Sequence, residues 1–360
     1  MFNIEHQLNN TMTKSVYKLE TYTKSKERNS NVETLRVLMM YLIVLLHFSA
    51  RVFDLGNPDK YSPFIFSAIQ GIRCICFLGV STFAFISGYY GIKWSLKKFL
   101  KYEILATIWG VVFYAMGMAY GGANLKMLFP LSSGYHWYFS AYMILMILAP
   151  VLNKGMESLS KEQLKTVCVF LVLIHYAGQF LFPGSIGSEF LILVVIYVLA
   201  FYMRKYPVQY FEKHALFIFC TSLLLNIAIA MAAGKYLDYT IEAWQAKLLS
   251  KFATNNNPLV IISSVSLFFY IKNLKTYRFR SIARFAPYMF SVYIIHCCAL
   301  GIGKFEELLY INSFTFLFLS TILVVISCSF AEYIRQKLME NIENKFIEAI
   351  VEKLSKQGVN

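Results

Sequence analysis

The chain has 360 residues, 58% of them hydrophobic and only 15% charged, with a mean hydropathy of +0.53. That composition excludes an ordinary soluble domain and points to an all-α polytopic membrane protein. The net charge of +14 needs no nucleic-acid partner, because inner loops of membrane proteins collect Lys and Arg and anionic headgroups attract them.

Residues 1–34 are polar and Lys-rich, so a flexible cytoplasmic tail is expected there rather than a signal peptide. Ten apolar segments follow, at about 35–53, 69–92, 102–121, 137–152, 166–182, 189–203, 215–233, 258–271, 286–302 and 312–334. Several fall short of the roughly 20 residues of a full span, and the eighth is the shortest. Charge supports the count independently. With both termini cytoplasmic, 26 of the 34 Lys and Arg residues fall at inward positions, the bias of the positive-inside rule. Residues 35–334 therefore read as one ten-helix membrane domain. Beyond it, Leu338, Ile342, Phe346, Ile350 and Leu354 recur every four residues among mixed charges, so 335–360 is expected to be an amphipathic tail helix on the inner leaflet.

The polar groups inside these segments carry the chemistry, since lipid penalises them. The first segment holds "RVLMMYLIVLLH", with Arg36 and His47 eleven residues apart. Eleven helical steps leave the two side chains about 20° apart in azimuth and about 16 Å apart along the axis. Arg36 then lies at the cytoplasmic surface and His47 in the outer half, with Arg51 one turn further on. Arg73 stands toward the outer end of the second segment, and the basic stretch "KWSLKKFLK" follows on the inner side. His136 and Trp137 open the fourth segment within "YHWYF". The longest outer connection, 234–257, contains Trp244 and "NNNP" and has the length to fold over an outward-facing site. His296 lies about 18 Å along the ninth segment from Arg284, at the level of His47. Acidic residues are nearly absent: Glu103, Glu189 and Glu332 sit near segment ends. The seven cysteines all lie in apolar segments, which argues against a disulfide framework or a metal site.

Each feature has a plainer reading. Arg36 alone is a topology determinant, His47 alone a packed histidine, and the aromatics of "YHWYF" an interfacial belt. His175 and His214 share no obvious face with the others and read as structural. What favours chemistry is the conjunction of an Arg and a His on one face with a second His at equal depth.

At these residues the sequence resembles the acyltransferase 3 family of integral-membrane acyltransferases that modify bacterial surface sugars. The Arg36–His47 spacing matches that family's arginine, ten residues, histidine signature. Further matches follow in order: "FAFISGYYGIKWSLKKFL", "HWYFSAYMILMILAPVLN", "NPLVIISSVSLFFYIKNLK" and "SVYIIH". The likeness is greatest to the branch that acetylates polysaccharides. It implies a bacterial plasma-membrane enzyme that moves an acyl group, typically acetyl, from cytoplasmic acyl-CoA to a hydroxyl of a surface polysaccharide or lipid-linked sugar outside. Acetyl-CoA or another acyl-CoA is then a co-substrate, and no cofactor is permanently bound. His47 and Arg36 take the catalytic positions, with Arg36, Lys98, Lys101, Ser87 and Gly88 toward the donor. His296, Arg73, His136 and Trp137 are left for the acceptor or the oxyanion. Lys98 and Lys101 stand where family members commonly carry an arginine pair, which loses the bidentate fork. A competing reading is a polysaccharide or lipid-linked sugar exporter, but no internal repeat is visible and midplane carboxylates are missing.

Overall fold

Each apolar segment is occupied by helix, and local capping chemistry sets many of the ends. The computed structural model describes residues 29–52, 62–181, 188–236, 254, 255, 257–275, 280–302 and 314–356, with side chains left out at 51, 52, 63, 177–181, 188, 189 and 233–236; no strand occurs among the described residues. The tail before residue 29, the Arg51 side chain, Trp244 and most of the long outer connection lie outside them.

Helix α1, Ser30–Val52, carries both Arg36 and His47 on one unbroken helix. Its start is pinned from afar: Asn29 Nδ2 and Asn31 Nδ2 donate to the carbonyls of Lys272 (3.1 Å) and Leu274 (2.7 Å). Helix α2, Pro63–Cys76, is capped by the Ser62 hydroxyl, which accepts from the Ile65 amide, with Pro63 in the first turn, where its missing N–H costs nothing. Helix α3, Leu78–Tyr90, follows after Phe77, which keeps helical backbone, so 64–90 forms one 27-residue span. It stops at Gly91, whose φ of +75° suits a residue without Cβ. Helix α4, Leu96–Tyr120, starts at a Ser95 cap. Helices α5 (Trp137–Ser158), α6 (Lys161–Leu181), α7 (Ser188–Lys205), the short α8 (Gln209–Lys213) and α9 (Ala215–Tyr236) follow. Helix α10, Pro258–Lys272, is opened by Asn257. After one turn of α11, Arg280–Ala283, and a 3-10 turn at Ala286–Tyr288 come α12, Met289–Gly301, and α13, Phe314–Lys356.

Among the described residues, seven helical stretches are long and apolar enough to cross a membrane: 30–50, 64–90, 96–120, 137–158, 215–232, 280–301 and 314–356. Helix α10 is apolar but shorter, while α6 and α7, at the fifth and sixth expected segments, are not among the seven. Large apolar side chains such as Phe170, Leu173, Leu319, Leu323 and Phe330 remain exposed, as a lipid-facing wall requires.

The centre of the bundle is α1, which packs against α2, α3, α10, α12 and α13 through Leu35, Met39 and Val44, all buried. Helices α3 and α7 approach very closely at Gly88, where an added Cβ would come within 2.6 Å of the Tyr197 carbonyl oxygen. The physical demand at Gly88 is thus helix packing, not space for a donor.

Helix α13 runs 43 residues, roughly 65 Å, with no break at residue 335. Leu338, Ile342 and Phe346 form an exposed stripe, while Arg335, one turn nearer the membrane span, and Glu343 and Ile347 are buried. Two ion pairs tie this tail to the start of α4: Lys97 Nζ to Glu348 (2.8 Å) and Lys101 Nζ to Glu340 (3.2 Å). Lys97 holds the exposed Glu348 carboxyl below its ordinary range through that hydrogen bond.

Topology has a direct check. Cysteine labelling is expected to find Lys98, Lys161, Lys205 and Lys275 on the cytoplasmic side, and Lys126 outside with Asp59, Lys247 and Glu307, the last three lying beyond the described residues. Lys247 and Lys275 on the same side would remove α10 as a span.

Candidate active site

Helices α1 and α12 meet in the outer half of the bundle, as the topology above orients it, and bring two histidines together. His47 Nδ1 lies 2.9 Å from His296 Nε2, and His296 Nδ1 lies 2.6 Å from the Val292 carbonyl oxygen one turn back on α12. A carbonyl only accepts, so His296 Nδ1 carries the proton. In neutral His296 the Nε2 is then the lone-pair nitrogen and accepts from His47 Nδ1–H. His47 is thereby held in the tautomer that presents its Nε2 lone pair. One backbone carbonyl fixes the protonation of two rings in series, an orienting role like that of the third group in a catalytic triad.

His47 faces a cavity of about 330 Å³, lined also by Ala50, Tyr135, Cys297, Leu300 and Gly301. Gly301 allows that wall to close: a Cβ there would lie 1.7 Å from the Tyr135 hydroxyl. On the other side of His296 an apolar cavity of about 320 Å³ runs between α1, α4, α12 and α13, lined by Phe48, Trp109, Phe113, Ile295 and Val324 among others. His296 itself is buried. Both of its nitrogens are engaged, so in this geometry it orients His47 and has no N–H to offer an oxyanion.

Cys297, next to His296 on α12, is the residue that sequence reasoning missed. Its Sγ lies 3.5 Å from His296 Nε2 and 3.8 Å from His47 Nδ1. The signal was there in the "HCC" run, but an apolar segment makes any cysteine look like packing. Cys298 points elsewhere, with Sγ 3.4 Å from His136 Nε2. His136 is buried beneath the site against Tyr135 and Tyr293 rings, and it does not line the His47 cavity. Trp137 meets Tyr138 edge-on. Arg73 lies over the Phe77 ring at 5.8 Å, and no hydrogen bond among the described residues joins it to either histidine. Arg73, His136 and Trp137, expected near the acceptor or oxyanion, are thus not brought into contact with His47.

Near the opposite end of α1, Arg36 pairs with Glu33 at 2.5 Å yet keeps a quarter of its side-chain surface accessible. A run of rings leads on to the histidines. Lys98 Nζ sits 5.6 Å over Tyr102, and Tyr102, Tyr142, Tyr138, Tyr293 and His296 then follow at centroid spacings of 6.5, 6.3, 5.9 and 5.9 Å. Ser87 donates its hydroxyl to the Phe83 carbonyl one turn back on its own helix at 3.0 Å. Tyr138 and Tyr142 are themselves half-buried on α5. Lys101, one turn from Lys98 on α4, is paired with Glu340.

A comparison with protein families matches residues 29–332 of this chain to the acyltransferase 3 model, described as an acyltransferase domain. No curated protein and no solved structure gives a match.

Proposed function

Because the chain belongs to the acyltransferase 3 family and is a multi-pass membrane acyltransferase, we propose that it transfers an acyl group, acetyl in the simplest case, from cytoplasmic acyl-CoA to a hydroxyl of a surface polysaccharide or lipid-linked sugar. The observation that carries this reading is the Val292–His296–His47 relay opening on a cavity, on the same helix as Arg36. A bacterial plasma membrane is the setting this implies.

The chemistry follows from the positions. The phosphates of CoA stay at the basic inner end, drawn by Arg36 and Lys98, with Lys101 shared between donor and Glu340. Its pantetheine arm, on the order of 15 to 20 Å long, matches the rise from Arg36 to His47. The acceptor hydroxyl enters the cavity of His47 and Tyr135. His47 Nε2 removes its proton as the oxygen attacks the thioester carbonyl. The tetrahedral oxyanion is stabilised from the Tyr135 hydroxyl. Collapse expels the CoA thiolate, which takes the proton back from the imidazolium, so acyl–S–CoA and sugar–OH become sugar–O–acyl and CoA–SH. His296 is a positioning residue that keeps His47 in the base tautomer. The apolar cavity behind it suits a lipid-linked acceptor approaching from the bilayer.

The reading is tested with purified protein in detergent, by following thiol release from acetyl-CoA with and without acceptor glycan. Glycan mass and NMR with and without the gene then identify the acceptor. No acyl-dependent thiol release under any acceptor would overturn the proposal. Donor binding supplies a sharper arm: Arg36→Ala is expected to weaken acyl-CoA binding, and Arg36→Lys to keep part of it, because charge survives without the fork. Unchanged donor affinity in Arg36→Ala would leave Arg36 a topology residue paired with Glu33.

A further inference from the structure

We propose that His47, His296 and Cys297 bind a zinc ion reversibly and that zinc, once bound, shuts off His47. The three donor atoms, His47 Nδ1, His296 Nε2 and Cys297 Sγ, lie 2.9, 3.5 and 3.8 Å apart, and all fall within 4.8 Å of one another. A tetrahedral zinc with Zn–N of about 2.0–2.1 Å and Zn–S of about 2.3 Å needs its ligands about 3.3 Å apart for two nitrogens and about 3.6 Å for nitrogen and sulfur. Each observed separation is within about half an ångström of that, a change that small ring and χ rotations supply. Two imidazoles and a thiol select a thiophilic ion, and no carboxylate is present to favour magnesium or calcium.

Two further features complete the site. His296 Nδ1 donates to the Val292 carbonyl, the kind of backbone partner that orients a metal-ligating histidine and sets its tautomer. The remaining side of the triangle opens on the cavity of His47, Tyr135 and Cys297, which leaves a fourth position for water. The His296 tautomer is the same with and without metal, so half of the site is preformed.

His47 is not in the same position. To ligate through Nδ1 it gives up the proton it donates to His296, and neutral His47 then carries its proton on Nε2. Cys297 loses its thiol proton to become a thiolate, so one proton leaves to solvent for each zinc bound. With a proton on Nε2 the ring has no lone pair for an incoming hydroxyl. Metal and general-base tautomer exclude each other, and zinc is an inhibitor here. The binding site stands on geometry alone; the inhibitory consequence rests on the base assignment above.

Binding is read without activity. The purified full-length protein in detergent, titrated with Co²⁺, is expected to develop the thiolate charge-transfer and tetrahedral d–d bands of one bound ion, removed by Zn²⁺. Cys297→Ser should lose the charge-transfer band and weaken Zn²⁺ binding by more than about 100-fold, beyond what loss of a second-shell partner costs. Cys298→Ser should keep both. Since a variant can fail to fold, the wild-type protein supplies the second measurement. Alkylation of Cys297, read by mass spectrometry, should be slowed by Zn²⁺ and not by Mg²⁺. Absence of the bands, or alkylation indifferent to Zn²⁺, would overturn the site and leave the base assignment standing. Zinc that binds by both measures yet leaves acyl transfer unchanged would overturn the switch and count against His47 as the base. Inhibition that tracks the Co²⁺-derived occupancy, and is relieved in Cys297→Ser, supports both halves.

Discussion

Acyl transfer by His47→Ala is expected to fall by roughly 10²- to 10⁴-fold, the loss typical of removing a general base, while acyl-CoA affinity and expression stay near the wild-type level. In the proposed mechanism donor binding belongs to the other end of α1 and does not depend on the imidazole. His47→Gln should recover little, because an amide keeps hydrogen bonds but takes up no proton at neutral pH. Transfer should also decline as pH falls and the base nitrogen is protonated, and that acidic limb should vanish in both variants. His296→Ala is expected to do less harm than His47→Ala and to lower kcat rather than donor affinity. His296→Gln should restore part of the rate, since its side-chain carbonyl can accept from His47 Nδ1–H. Near-normal turnover by His47→Gln would sink the base assignment.

The second large effect is on stability. Arg335→Ala is expected to destabilise the protein by about 3 to 5 kcal/mol, the range for removing one partner of a buried charge cluster. Arg335 is buried where α13 leaves the apolar span. Its Nε and Nη2 each bond the Glu332 carboxylate at 2.8 Å, and its Nη1 bonds Glu343 eight residues on. Glu332 also accepts from Trp109 Nε1 (3.0 Å) and Gln336 Nε2 (2.9 Å). Without the guanidinium, two buried carboxylates face each other with no cation between them. A thermal unfolding scan in detergent reads the loss. Glu332→Gln with Glu343→Gln, added to Arg335→Met, should recover most of it, since neutral amides of the same shape no longer repel. An unchanged midpoint in Arg335→Ala would mean that the network does not hold the tail. Because Trp109 also lines the apolar cavity beside His296, loss of Arg335 should reach the site as well.

Much of this molecule is legible one residue after another. Helical period and hydropathy were enough to locate helix at every apolar segment, to set Arg36 and His47 on one face of α1, and to put His296 at the depth of His47. These are properties of a single helix in lipid, where the backbone has no alternative partner and rise per residue converts spacing into depth. The end at Gly91 and the start at Ser95 are likewise local, a matter of caps and permitted φ.

What a ring does at a given depth is decided by which helices face each other, and that rests on contacts between residues far apart in sequence. His47 and His296 are 249 positions apart, and the tautomer of His47 is set, through His296, by a carbonyl on the partner helix. No periodicity distinguishes Cys297, against the histidine pair, from Cys298, against His136. The two lie about 100° apart around α12, and only the neighbours of that helix give the angle meaning. Gly88 shows the same in reverse: within its motif it resembles a donor-binding residue, yet Tyr197 of α7 occupies the space its side chain would need. Arg335 reads as one more inward-biased cation until Glu332 and Glu343 close around it. Apolar patterning tells a helix how to lie in the bilayer, but in lipid it cannot select a partner, since lipid tails and neighbouring side chains are equally apolar; the polar contacts and close glycine packings make that selection.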